Sequence, residues 1–138
     1  MIKKKEITCL SIQEPFATWI AKGYKRIETR GYSAWKKYIG KEVYIHASSK
    51  FWKDLTEEQK KFMLQYPEKY KPGYIIAKGI LKESLPYKEL SLTGQERQLG
   101  FYGEGRWGWC FENVKLLDEP IKASGQLGFW KFEIEEEV

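Results

Sequence analysis

The apolar residues of this chain fall into six runs of strand character, and helical spacing is inserted mainly in the first half. Residues 6–12, Glu-Ile-Thr-Cys-Leu-Ser-Ile, are β-branched and apolar without a breaker and predict a buried strand. Gln13-Glu14-Pro15 stops that strand and opens a short helix over about 14–22, with Pro15 suited to a first turn and Gly23 to the C-terminal stop. Lys25 to Arg30 then form a second extended segment, and residues 31–41 a polar-aromatic loop. Residues 42–47, Glu-Val-Tyr-Ile-His-Ala, predict a third strand. Ser48-Ser49 read as a cap for a helix carrying Phe51, Trp52 and Leu55, and Thr56 with its acidic first turn opens a second helical piece to about residue 65.

The second half is plainer. Residues 73–85 predict a long strand in which Gly79 marks a bulge or bend. Residues 86–106 are polar and glycine-rich, with short helical turns at 87–90 and 95–99. Residues 107–117 predict a strand, Asp118-Glu-Pro120 a turn, 122–128 a loop, and 129–135 the last strand, followed by an acidic tail. About six strands, two or three short helices and no βαβ repetition give an α+β protein. Its natural form is a small, curved, mixed sheet closing toward a barrel.

At 138 residues the chain has the length of one domain. A hydrophobic fraction of 42%, with 16% aromatics, marks a folded protein rather than a disordered one. No apolar run nears the ~18 residues of a membrane span, and the start, Met-Ile-Lys-Lys-Lys-Glu, lacks the apolar core of a signal peptide; a cytoplasmic protein without a membrane partner is expected. Cys9 and Cys110 read as reduced, buried thiols, and no metal or cofactor motif is present. Residues 1–71 carry 16 Lys+Arg against 8 Asp+Glu, and residues 72–138 carry 8 against 11, so the first half holds a surplus of eight cations. That asymmetry predicts a basic face and a polyanionic partner.

The densest chemistry lies in Gly23-Tyr-Lys-Arg-Ile-Glu-Thr-Arg30. Charges of both signs crowd beside a helix-ending glycine there, an arrangement costly to bury without a polar ligand. Lys25, Arg26 and Arg30 offer contacts to phosphate or base edges, and Glu28 can orient Arg30 or accept from an exocyclic amine. Gln13, at the strand-to-helix corner, can read a Watson–Crick edge. Trp35, Trp52, Tyr32 and Tyr38 offer flat faces for bases, and Lys36, Lys37 and Lys50 long-range attraction. Ser48 and Ser49 are helix caps first and phosphate donors second. His46, the chain's one histidine, lies at a strand end; a lone histidine there usually serves structure, and without a second ligand it does not hold metal. Trp19 and Trp130 read as core.

Residues 9–30, Cys-Leu-Ser-Ile-Gln-Glu-Pro-Phe-Ala-Thr-Trp-Ile-Ala-Lys-Gly-Tyr-Lys-Arg-Ile-Glu-Thr-Arg, resemble the opening of an ASCH domain (activating signal cointegrator homology), a branch of the PUA-like barrels. Gly23, Lys25, Glu28 and Arg30, then Trp35 and Ile45-His-Ala47, fit that pattern; 74–82, 107–122 and 127–132 are similar to its later strands. The resemblance implies a barrel with a cleft that binds RNA, single-stranded DNA or a nucleotide, in transcription or RNA metabolism; it leaves any protein partner open. Other branches imply a small metal-independent hydrolase, either a ribonuclease or a modified-nucleoside amidohydrolase, for which Lys25, Glu28 and His46 are the catalytic candidates. The amidohydrolase pattern places Thr three residues after the Lys; here that position is Glu28, and Thr29, its neighbour, is expected on the opposite face of a regular strand. Glu96 falls where that branch keeps its acid.

Overall fold

A computed structural model describes residues 1–138. Six strands form one mixed sheet: β1 (Ile2–Glu14), β2 (Ile27–Arg30), β3 (Glu42–Phe51), β4 (Tyr74–Pro86), β5 (Trp107–Lys122) and β6 (Phe129–Glu137). They lie in the order β2-β5-β4-β3-β1-β6, and only the β1–β3 pair is parallel. Three helices, α1 (Phe16–Ala21), α2 (Glu57–Gln65) and α3 (Gly94–Gln98), complete the α+β fold. No helix is long and apolar enough to cross a membrane.

The sheet curls as expected. Trp109 of β5 stacks on Phe129 of β6 with centroids 5.4 Å apart, although three strands separate them in the sheet. The edge strands β2 and β6 do not pair, so the barrel is only part closed. Gly79 lies at the expected irregularity: pairing with β5 shifts register between Lys78 and Ile80, and a Cβ at Gly79 would stand 2.7 Å from Val114 Cγ2. Only a residue without a side chain admits β5 so closely.

Alternation along the parallel pair sorts the interior. Leu10 and Ile12 of β1, with Val43, Ile45 and Ala47 of β3, join Trp19, Phe111 and α1 in the larger core. Cys9 and Tyr44 face the other way, toward Ile7, Ile75 and Trp130. Ser11 and Gln13, in register with or beside His46 and Ser48, continue that second face upward as polar positions.

Two local expectations fail. Ser48–Phe51 do not cap or enter a helix but prolong β3, because Phe51 pairs with Glu14 and the Trp52 N–H donates to the Glu14 carbonyl at 2.7 Å. The cap found is Thr56, whose hydroxyl and Gln59 form a reciprocal box at the start of α2. Likewise 118–120 does not end the strand: β5 continues to Lys122, but its pairing with β4 passes from Ala77↔Leu116 to Ile75↔Ile121, so residues 117–120 form a bulge. Pro120 sits in that bulge, where its missing N–H costs no ladder bond.

The charge asymmetry is partly internal. Lys3 and Lys4 of β1 lie opposite Glu136 and Glu135 of β6, and Lys4 and Lys5 reach Glu133 and Glu136 at 3.7 and 3.8 Å. The acidic tail is thus a strand that offsets the basic N-terminus, and the uncompensated cations lie elsewhere.

Candidate functional site

A cleft of ≈ 820 Å³ opens above the polar end of the β1–β3 pair. Its floor carries Ser11, Gln13, His46 and Ser48; one wall is β2 with Lys25, Glu28, Thr29 and Arg30. The opposite wall is the Ala123–Gly128 loop, and Phe16, Trp52, Phe101 and Arg106 close the end. Four cations (Lys25, Arg30, Arg106, Lys122) face one carboxylate, Glu28.

Lys25 is 2% exposed. Its Nζ donates to the Ile27 carbonyl at 2.6 Å and lies 5.4 Å from the centre of the Phe16 ring. Burial pushes its pKa below the ordinary value, while Glu28 and Glu96 pull the other way. An ammonium has three donors, and the protein uses one. The remaining two have no acceptor in the protein.

Arg30 is fixed on three sides. Nε donates to Glu28 Oε2 at 3.1 Å, Nη2 lies 3.0 Å from the same oxygen as an ion pair and donates to the Ser11 carbonyl at 3.0 Å, and the guanidinium lies 5.2 Å from the Trp109 ring centre. Past Leu10↔Phe129 the β1–β6 ladder ends, and Arg30 bridges β2 to β1 where backbone pairing stops. Arg106 is held similarly, donating from Nη2 to Thr29 Oγ1 at 3.1 Å and from Nε to the Phe101 carbonyl at 3.2 Å.

His46 is almost fully buried and committed at both nitrogens. Nδ1 lies 3.0 Å from Ser11 Oγ and Nε2 lies 2.8 Å from the Ala123 carbonyl. A carbonyl only accepts, so Nε2 carries the proton; burial lowers the ring's pKa, and Ser11 then donates to Nδ1. Trp130 Nε1 donates to Ser11 Oγ at 3.0 Å, completing the network. Gly125 lies flat against it: a Cβ there would stand 2.6 Å from His46 Cε1. No three His, Cys, Asp or Glu side chains gather to hold a metal.

In fold, the chain is similar to an ASCH protein. The crystal structure of ASCH from Zymomonas mobilis superposes with a TM-score of 0.48 and 15% identity, over 83% of this chain and 72% of that one. No protein-family profile matches the chain, and no curated protein does. Residues 9–30 supply the end of β1, α1 and β2, hence part of the floor and one wall of the cleft.

Of the residues singled out in the sequence, Gln13, Lys25, Glu28, Arg30, His46, Ser48, Ser49 and Trp52 line the cleft. Arg26 does not: its side chain is exposed, while its N–H donates to Glu96 Oε1 at 2.7 Å. Trp35, Lys36 and Lys37 lie on a 3₁₀ turn outside the cleft, and Lys50 is exposed beyond Ser49. Thr29 contributes to the lining of the same cavity as Lys25 and Glu28, although β2 pairs with β5 without a register break through both Glu28 and Thr29; its hydroxyl is engaged by Arg106. Glu96, on α3, accepts from Arg26 N–H and from the Tyr102 hydroxyl and acts on Lys25 by charge alone.

Phe101, Arg106 and the 123–128 loop were not singled out. Their signal was the glycine content of Gly100, Gly103, Gly105, Gly125 and Gly128, which lets backbone approach a ligand, but nothing local ties those loops to residues 25–30.

Proposed function

We propose that this protein binds single-stranded nucleic acid, or a nucleotide, in the cleft. One observation carries the reading: four cations face a single carboxylate there, and one of them, Lys25, is buried with two donors unspent. An acceptor-rich anion satisfies those donors and offsets the desolvation that depresses the Lys25 pKa. Gln13 makes no side-chain hydrogen bond within the protein, leaving its amide free to read a base edge, and Trp52 and Phe101, packed on each other, offer an apolar surface in the same cleft. The fixed Arg30 and Arg106 hold a preformed field rather than searching for the ligand. A basic cleft alone also suits other anions; the unbonded amide in a cleft that also carries aromatic rings is what favours a nucleobase.

The test is titration with mononucleotides and short single strands of RNA and DNA, at low and raised salt. Binding that weakens with salt, and by about ten-fold or more in Gln13→Ala or Lys25→Met, is the expected result. Equal binding by all three proteins, or none by the unaltered chain, defeats the reading. A second reading, a modified-nucleoside hydrolase, is favoured by the meeting of Lys25 and Thr29 in one cavity. Turnover of an N4-acylated cytidine that vanishes in Thr29→Val, with Arg106 still held by the Phe101 carbonyl and the fold intact, selects it over simple binding.

A further inference from the structure

Arg30 begins a ladder of rings that leaves the cleft. Its guanidinium faces Trp109; Trp109 stacks on Phe129 at 5.4 Å and 4°, Phe129 on Tyr38 at 4.1 Å and 24°, and Tyr38 on Trp35 at 6.3 Å and 18°. The inner rungs are core, Trp109 at 1% exposure and Tyr38 at 9%, whereas Trp35 is 64% exposed. Leu127 and Gly128, which line the cleft, directly precede Phe129, so the middle of the ladder adjoins the cleft rim and Trp35 lies two rungs further out.

Cations surround that outer end. Lys37 Nζ lies 5.0 Å from the centre of Trp35 and 5.1 Å from that of Tyr38, and Lys131 Nζ lies 5.7 Å from Tyr38. A shallow groove beneath them adds Lys5 and Lys41 to Lys37 and Lys131, against Glu6 and Glu42. Glu42 and Glu136 engage Lys5, but Lys37, Lys41 and Lys131 make no ion pair. A protein partner selects against such a surface, since lysine is depleted at protein interfaces. An exposed ring flanked by uncompensated lysines has the composition of a base-stacking platform with phosphate contacts.

We infer that the ligand is a strand several nucleotides long, one base seated in the cleft and another stacked on Trp35, with Lys37, Lys41 and Lys131 contacting the phosphates beside that outer base. This rests on the reading of the cleft above and adds a second subsite to it. Trp35 anchors a fixed spacing, because its ring is braced through Tyr38 and Phe129 against the core rather than free to swing.

The experiment compares a labelled mononucleotide with single strands of about eight nucleotides, within the site sizes of small single-strand binders, as RNA and as DNA. The proteins are the unaltered chain, Trp35→Ala, Lys37→Ala/Lys41→Ala and, as the cleft control, Gln13→Ala; circular dichroism verifies the fold of each. Trp35→Ala is expected to weaken the octamer by about 5- to 150-fold, the loss of one stacked base, and to leave the mononucleotide unchanged. The double lysine variant is expected to reduce the salt dependence of octamer binding by about 1.4 in the log–log slope, two phosphates at ~0.7 each. An octamer held equally well by Trp35→Ala, but weakened in Gln13→Ala, overturns the second subsite and keeps the cleft. An octamer weakened by Trp35→Ala with Gln13→Ala unaffected keeps the platform and overturns the cleft. Binding of neither ligand overturns both.

Discussion

Replacing Lys25 by Met isolates the cost of holding a cation inside this fold. Met is unbranched and flexible, only one atom shorter than Lys, and apolar, so it fills most of the same space beside the Phe16 ring. The substitution removes one charge-assisted hydrogen bond, to the Ile27 carbonyl, worth about 1.5–3 kcal/mol. It also removes the desolvation penalty of a buried ammonium, several kcal/mol. Glu28 and Glu96 lose a nearby positive charge, but Glu28 retains Arg30 and Glu96 retains the Arg26 N–H and the Tyr102 hydroxyl. Because the Lys25 pKa is lowered, desolvation outweighs the attraction of both carboxylates. Lys25→Met is therefore expected to be neutral or more stable by up to about 2 kcal/mol near pH 7, while losing affinity for the ligand.

The pH dependence carries the sign. A folded-state pKa below the ordinary 10.5 means that, between the two values, the unfolded chain binds more protons than the folded one. Stability of the unaltered protein therefore rises with pH across that window, by up to about 1.4 kcal/mol per pH unit, and is flat below the folded pKa. Lys25→Met lacks this term, and every other group cancels in the difference between the two proteins. Urea unfolding followed by tryptophan fluorescence, from about pH 7 to about pH 10, should show the advantage of the variant shrinking as pH rises. A variant less stable by ~3 kcal/mol, or a difference constant across that range, refutes the reasoning: the charge would then be fully compensated, with nothing left for a ligand to satisfy.

Three further outcomes follow from the geometry. Gly125→Ala drives a Cβ to 2.6 Å from His46 Cε1 and 2.7 Å from Ser11 Oγ, so a loss of about 1–3 kcal/mol in denaturant unfolding and weaker ligand binding are expected together. Thr56→Ala removes the hydroxyl that caps α2 and should cost about 1 kcal/mol in the same assay, with ligand affinity unchanged because Thr56 lies outside the cleft. Burial pushes the Cys9 thiol up to about 12 and the Cys110 thiol up to about 11, so neither is appreciably ionised near pH 8. A disulfide reagent should leave both unreacted in the native protein and titrate both in urea; rapid native reaction of Cys9 would contradict its burial.

Much of the fold was legible in local chemistry. A helix stop at Gly23, a cap at Thr56, the irregularity at Gly79 and the short turns near 87 and 95 all appear where residue type demanded them. Six strands were countable because β-branched and aromatic runs are bounded by breakers, and period-two alternation in 43–48 separated core residues from those that reach the cleft. Such signals concern φ, ψ and the face of an element, which a residue and its neighbours determine.

What tertiary structure alone decided depends on partners far along the chain. Ser48–Phe51 have the residues of a capped helix, yet Glu14, 37 positions away from Phe51, holds them as strand. Pro120 reads as a turn until β4 is seen to resume its pairing beyond it, at Ile121, which leaves the proline in a bulge of a continuing strand. The cleft likewise joins residues 77 positions apart, Arg106 to Thr29 and His46 to the Ala123 carbonyl. Whether a lysine in such a cleft is comfortable or starved of partners is a matter of desolvation and of which acceptors arrive from distant loops. Sequence neighbours carry neither quantity, and here they differ: Arg30 is satisfied by the fold, and Lys25 is left for a ligand.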